Sequence, residues 1–117
     1  MITSKRLTGS GNTEVYTSSG VNAITTIIVC NTGAPPTAPS EDPTDETIRS
    51  ADITLNLIAN GGGSSSDSNT IVKNLTIPAG ETVFFSEERV VLGDGDSIYA
   101  TASVGNLITI TVSTLAV

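Results

Sequence analysis

Residues Ala51–Ile58 read Ala-Asp-Ile-Thr-Leu-Asn-Leu-Ile, with an apolar side chain at every second position from Ala51 to Leu57. Successive side chains of a β-strand point to opposite faces, so this period of two predicts a strand with one buried and one polar face. The same alternation recurs at Ile98–Val104 and at Leu107–Ser113. One-sided patterns of this kind are typical of antiparallel sheets that have one face in water.

A weaker alternation occupies Ile71–Ile77, where Ile71, Leu75 and Ile77 are in phase and Lys73 interrupts the pattern. Helical periodicity is absent from the chain, and β-branched residues are frequent in every one of these segments. We therefore interpret Ile71–Ile77 as a further strand, with the three apolar side chains facing the core.

Ala23–Asn31 differs from the other segments, because Ile27–Cys30 is apolar at consecutive positions. A strand that is apolar on both faces is predicted to be central in its sheet and covered on both sides. Thr13–Thr17 predicts a short strand, and Thr82–Ser86 and Arg89–Leu92 together predict one bent edge strand.

Turn residues separate these segments at regular intervals, at Ser18–Gly20, Gly61–Gly63, Pro78–Gly80, Gly93–Asp96 and Gly105–Asn106. They divide the chain into seven or eight short strands, which is the pattern of a β-sandwich or barrel. We predict one all-β domain over residues 1–117, an antiparallel sandwich of the immunoglobulin-like or jelly-roll type.

The predicted core is aliphatic, because the chain has only two Phe, two Tyr and no Trp. The alternation assigns fifteen side chains to it: Ile24, Ile27, Val29, Ile53, Leu55, Leu57, Leu75, Ile77, Val83, Phe85, Ile98, Ala100, Ile108, Ile110 and Val112.

A Pro-rich segment at residues 33–47 interrupts the strand pattern, with four prolines between Pro35 and Pro43. Prolines cannot donate to a ladder, so this segment is predicted to be a long loop at the surface or against a neighbouring protein. An acidic cluster within it, at Glu41, Asp42, Asp45 and Glu46, is either a solvated loop or a contact for a basic partner.

The composition excludes several classes of function. The net charge is −7 with five Lys and Arg, which argues against binding nucleic acid or an anionic membrane. The chain has no His and a single cysteine, Cys30, so the commonest general base and thiolate zinc sites are unavailable to it. Cys30 is interpreted as a buried, unreactive thiol. The N-terminal residues do not resemble a signal peptide, so we expect no export.

Two sets of carboxylates are candidate sites. Asp94 and Asp96 flank Gly95 and are candidate Ca²⁺ ligands, although Asp and Gly in this order also form an ordinary turn. Glu87 and Glu88 are adjacent and would point to opposite faces of a strand, which argues against paired carboxylate catalysis. Asn74-Leu75-Thr76 matches a glycosylation sequon, but the match carries no weight without export. We therefore expect no enzymatic activity, no cofactor and, unless Asp94 and Asp96 bind one, no metal.

The order of the motifs resembles a family of short virion structural proteins of tailed phages, many from marine and cyanobacterial hosts. The resemblance rests on Thr13–Ser18, Ala23–Gly33, Ile77–Thr82 and Val91–Ser103, followed by a final strand, and it covers Thr13–Val117. The Pro-rich insert departs from the compact loop expected there. Members serve as head decoration proteins or as tail, collar and baseplate components.

The resemblance implies a location in the virion after synthesis in the host cytoplasm. Our first hypothesis is a capsid decoration (cement) protein whose partner is the major capsid protein. The alternatives are a tail, collar or baseplate component that binds other tail proteins, and a receptor- or carbohydrate-binding module on the tail. Apolar faces at Ile27–Cys30 and Leu115–Val117 also predict a homo-oligomer or a contact within the particle lattice, with a trimer as the expected closed form.

Overall fold

A computed structural model of the chain describes residues 1–8, 11–33, 50–86 and 90–117. Within them lie nine β-strands and one short 3-10 helix, at Asp67–Asn69. The strands are β1 Ile2–Arg6, β2 Thr13–Thr17, β3 Asn22–Asn31, β4 Ala51–Ile58, β5 Thr70–Ile77, β6 Thr82–Phe85, β7 Val90–Leu92, β8 Ser97–Ala102 and β9 Ile108–Ala116. The predicted all-β class is confirmed.

The strands form two antiparallel sheets packed face to face. Sheet I has the order β1-β9-β3-β6, with β7 also paired to β3, and sheet II has the order β2-β8-β4-β5. The first strand pairs with the last, β2 with β8, β3 with β6 and β7, and β4 with β5. A long antiparallel ribbon wound into two sheets in this way is a jelly roll, so of the two predicted sandwich types the jelly roll is the one observed.

The predicted bent edge is confirmed as two short strands on one side of β3. β6 pairs with Ile27–Cys30 and β7 pairs with Asn22–Ile24. Counting β6 and β7 as one interrupted strand gives the eight strands of the jelly roll, which agrees with the upper end of the predicted number.

The core lies between the sheets and follows the predicted alternation closely. Eleven of the fifteen predicted core side chains are buried, and the remaining four, Leu57, Leu75, Val83 and Phe85, are partly buried and pack against them. The core also contains side chains that the alternation missed, among them Leu7, Val15, Tyr16 and Leu92. A bulge in the pairing of β2 with β8 brings both Val15 and Tyr16 into the core, which a strict period of two does not allow.

The predicted phase of β5 is wrong at its first half. Val72 is the residue opposite Leu55, whereas Ile71 is about half exposed. The pairing shifts at Lys73–Asn74, where Asn74 adopts a φ of 51°, a left-handed conformation that Asn tolerates better than most residues. The interruption at Lys73 is therefore a bulge, and it reverses the face on which the preceding residues lie.

The prediction for β3 is half right. The strand is central, since it pairs with β9 on one side and with β6 and β7 on the other. Only one of its faces is buried, however: Ile27 and Val29 point into the core, and Ile28 and Cys30 on the outer face are partly exposed. Cys30 is thus a half-buried free thiol at the surface of sheet I rather than a buried one.

Several predictions concern residues outside those described. The Pro-rich loop, apart from Gly33, falls there, as do the acidic residues Glu41, Asp42, Asp45 and Glu46 and the pair Glu87 and Glu88.

Candidate functional site

The outer face of sheet I carries exposed apolar side chains arranged in rows across the strands. Phe84 on β6 lies beside Ile28 on β3, whose other neighbour is Thr111 on β9. A second row runs from Val91 through Ala23 to Leu115. Because residues in register across a sheet are about 5 Å apart, each row forms a continuous strip.

We call this surface the apolar face and define it by its outward residues Phe84, Ile28, Cys30, Val91, Ala23 and Leu115. Phe84, Val91 and Leu115 are 63%, 62% and 63% exposed. Such large exposure of clustered apolar side chains is uncommon on monomeric proteins and marks interaction surfaces.

Hydroxyl groups of β1, β3 and β9 lie between the two apolar rows and beside them. Ser4 and Thr111 lie 2.9 Å apart through their hydroxyl oxygens, and the Thr25 hydroxyl donates to the Ser113 carbonyl oxygen at 3.1 Å. These groups satisfy one another within the sheet, so they present methyl groups and paired hydroxyls rather than charges.

The strands of sheet I contain no Asp or Glu, and their only charged residues are Lys5 and Arg6 at one edge. The chain nevertheless carries a net charge of −7. Its acidic residues are therefore in sheet II, in the turns and in the segments outside the described residues. The strands that carry the apolar face therefore lack the negative charge of the rest of the protein.

The outer face of sheet II is polar and bonded to itself. Asn56 on β4 points outward yet is only 3% exposed, because residues 64–69 cover it. Its side-chain amide donates to the Asn69 Oδ1 at 2.8 Å, the Thr70 hydroxyl at 2.9 Å and the Ser66 carbonyl at 3.2 Å. This buried amide holds the segment between β4 and β5 onto the sheet.

Two further pairs extend the polar network of sheet II. The Lys73 ammonium lies 2.7 Å from the Asp67 carboxylate, and this hydrogen bond and charge lower the pKa of Asp67. The Tyr99 hydroxyl donates to the Glu14 carboxylate at 3.2 Å. Partial desolvation, and then the nearby Glu14 charge, raise the pKa of Tyr99.

A shallow polar depression of about 250 Å³ lies on this network. Its walls are hydroxyl, amide and charged side chains from β4, β5, β8 and the 3-10 helix region: Thr54, Asn56, Ser65, Ser66, Asp67, Thr70, Lys73 and Thr101. An opening of this kind offers hydrogen bonds to a polar ligand but little apolar contact.

An apolar pocket of about 140 Å³ opens where the two sheets separate, between β5 and the edge formed by β6 and β7. Its walls are Ile24, Ile27, Ile71, Val72, Phe85 and Val90. A cavity near this size can hold a molecule as small as benzene. Every lining side chain is apolar, so no side chain in the pocket would orient a polar substrate.

The candidate metal ligands Asp94 and Asp96 lie in one turn, and their carboxylates link it to two other loops, at Gly20 and at Asn60. Asp94 accepts a hydrogen bond from the Gly20 amide at 2.8 Å, and Asp96 accepts one from the Asn60 amide and one from the Gly93 amide, both at 2.8 Å. Between them Gly95 has a φ of 84°, and a Cβ there would lie 2.6 Å from the Asn60 side chain. These carboxylates serve as acceptors for backbone amides that close the turn.

The fold does not bring the other candidate residues together. Across residues 1–8, 11–33, 50–86 and 90–117, no three His, Cys, Asp or Glu side chains form a group that could hold a metal ion. Cys30 on sheet I lies on the opposite face of the sandwich from the polar depression, and Asn74 lies in the exposed bulge of β5. The described part of the chain also contains no helix long and apolar enough to cross a membrane.

No protein family, curated protein or solved structure matches this chain. Its function is therefore inferred from its own residues and from the resemblance of its motifs. The sequence alone does not reveal the apolar face as a surface, although it identifies two of its components, Ile27–Cys30 and the end of β9. The pairing of Phe84 with Ile28 and of Val91 with Ala23 depends on register, which the sequence does not show.

Proposed function

We propose that this chain is a non-enzymatic structural protein of a phage virion, and that it decorates the outside of the head shell as a cement protein. The observation that carries the proposal is the apolar face of sheet I. A sandwich with an adhesive face suits a protein whose function is to attach to others. Such a protein needs no reacting group.

The charge distribution supports a position outside the shell. A protein with a net charge of −7 is repelled by packaged nucleic acid, and the only cations in the strands of sheet I are Lys5 and Arg6. On the outside surface the acidic balance keeps the unattached protein soluble, while the strands of sheet I, which contain no Asp or Glu, provide an adhesive contact with another protein molecule. Its partners in this proposal are the major capsid protein and further copies of itself.

Quantification of the chain in purified particles tests the proposal. A decoration protein is expected at a copy number comparable to that of the major capsid protein, measured by quantitative mass spectrometry against labelled peptides. A collar or baseplate component would be present in closed rings of roughly six or twelve copies, as rotational symmetry requires. Six or twelve copies per particle would indicate a tail component in place of a head decoration protein. Absence of the chain from washed particles would overturn the proposal.

A second candidate function, a receptor- or carbohydrate-binding module on the tail, is favoured by the polar depression of sheet II. Its hydroxyl and amide groups match the donors and acceptors of a sugar, and Tyr99 on β8 adds an aromatic side chain to this face. Binding would be detected as glycan-dependent chemical-shift changes confined to Thr54, Thr70 and Thr101. Thr101→Val should weaken it, whereas Thr111→Val on the opposite sheet should not.

A further inference from the structure

The four edges of the sandwich are poorly suited to adding a strand from another molecule. β1 ends in Lys5–Arg6, β2 is bulged at Glu14–Tyr16, and β5 is bulged at Lys73–Asn74. The fourth edge is divided between β6 and β7. Charges, bulges and short edge strands are the devices by which β-proteins block edge-to-edge pairing, so contacts with other molecules are directed to the faces.

The apolar face is large enough for a stable contact. β1, β9 and β3 have five, nine and ten residues, and the edge formed by β6 and β7 has four plus three. At about 3.4 Å per residue and about 4.8 Å between strands, the flat area is roughly 500 Å² before the relief of the side chains is included. With that relief it approaches the ~600 Å² that each partner buries at the lower end of standard protein interfaces.

The distribution of charged residues indicates which molecule packs on the apolar face. Two copies of a chain with a net charge of −7 repel each other over most of their surfaces, but the strands of sheet I contain no carboxylate. The strands of sheet I are therefore where two copies can meet without bringing strand carboxylates together. Its charges, Lys5 and Arg6, lie at the border, where each would approach the acidic remainder of the other copy.

We propose that a second copy of this chain packs on the apolar face, sheet I against sheet I, so that the unit built into the particle is a two-fold dimer. The inference rests on the proposed function and names the molecule that binds the apolar face. A face that packs on itself closes with two-fold symmetry, whereas a trimer needs two different complementary surfaces. The contact thus makes a dimer in place of the trimer expected from the sequence.

The arrangement is that of two sheets stacked face to face, about 10 Å apart and rotated by about 30°. Phe84, Leu115 and Val91 of each copy fill spaces between the strands of the other, and Ile28 and Cys30 on the central strand become covered.

Sedimentation equilibrium of the purified chain, with a charge introduced on the apolar face, tests the inference. The wild type should be a dimer, and Phe84→Glu should raise the dimer dissociation constant at least 100-fold, because a carboxylate would be buried opposite its own copy. The matched control is Ile71→Glu, since Ile71 is also an exposed apolar residue, at 49%, but lies on β5 of the other sheet. The control should leave the dissociation constant within a factor of three.

The Cys30 thiol provides an independent readout. In the dimer its reaction with a thiol reagent should slow at least tenfold relative to Phe84→Glu at the same protein concentration. Val91→Glu is a second disrupting variant, should Phe84→Glu fail to fold. A wild-type monomer at high concentration, a trimer, or a Cys30 thiol that reacts equally fast in both proteins would each overturn the inference. None of these results bears on copy number in particles, so the proposed function can fail or stand separately.

Discussion

The outer faces of the two sheets cover the same core, but the face of sheet II is polar and the face of sheet I exposes apolar side chains to water. On sheet II, side chains bond to one another and to a covering segment, with Asn56 buried beneath residues 64–69. On sheet I, Phe84, Val91 and Leu115 are each exposed by more than half, and no segment among the described residues lies over them. Among the described residues, one face is completed within the chain and the other keeps apolar area unburied.

This difference separates two contributions to free energy. Hydrogen bonds on sheet II are made when the monomer folds, so they stabilise the isolated domain. The apolar side chains on sheet I gain their stabilisation only when a partner removes them from water, at roughly 25 cal/mol per Å². Variants on the two faces should therefore differ in whether they change folding or association.

The sharpest way to separate inner from outer positions uses two neighbouring residues of β3. Ile27→Thr removes buried apolar volume and places a hydroxyl in the core, so it should lower the free energy of unfolding by about 2–4 kcal/mol. Ile28→Thr makes the same chemical change on the apolar face and should alter it by less than about 0.5 kcal/mol. Urea denaturation at concentrations low enough to keep the chain monomeric measures both. Equal losses would show that the apolar face is part of the folding core.

A smaller loss is expected when the buried amide of sheet II is removed. Asn56→Ala leaves the Asn69 and Thr70 acceptors without their donor and loosens the segment between β4 and β5, at a cost of about 2–3 kcal/mol. Thr111→Val on sheet I is the control, since its hydroxyl is paired only with exposed Ser4, and the change should be below about 0.5 kcal/mol. Hydrogen exchange should accelerate at Ser66–Asn69 in Asn56→Ala alone. Faster exchange there in Thr111→Val would contradict the separation of the faces.

The smallest effect concerns the exposed ion pair of sheet II. The pKa of Asp67 is lowered by Lys73, so the stability from this pair is present above the ordinary Asp value of about 4 and is lost as the pH falls through the lowered pKa. Wild type and Lys73→Met should differ slightly in urea midpoint at pH 7, and the difference should vanish in strong acid. A difference that grows on acidification would mean that the pair does not stabilise the native state.

The fold class is predictable from the sequence because eleven of the alternating side chains face one core. The alternation identifies them without any knowledge of the order in which the strands pair. The errors in strand phase occur at bulges. Asn74 reverses the phase of β5, and the bulge at Glu14–Tyr16 buries two consecutive residues, Val15 and Tyr16. A bulge adds one extra residue and leaves no periodic signal, so a period of two cannot locate it.

The candidate surface is predictable only in part. Ile27–Cys30 is apolar on both sides, which predicts cover on both sides, but the sequence does not say whether that cover comes from the same chain or from another. The alternation that assigns Val83 and Phe85 to the core leaves Phe84 on the outer face, where the structure has it. The assembly of Phe84, Ile28, Val91 and Leu115 into one surface requires the pairing of four strands that are distant in sequence.

The position of β9 has a consequence for how the chain folds as it is synthesised. β9 lies between β1 and β3, so Ile2 is joined across the sheet to Ser113 and sheet I cannot close until β9 has left the ribosome. The β4–β5 pair of sheet II is local and can form earlier. Until β9 arrives, β3 has an unpaired edge and its apolar residues have no completed core. Contacts this distant are typical of domains that fold in milliseconds to seconds, and the unpaired strand is then open to chaperones and to aggregation.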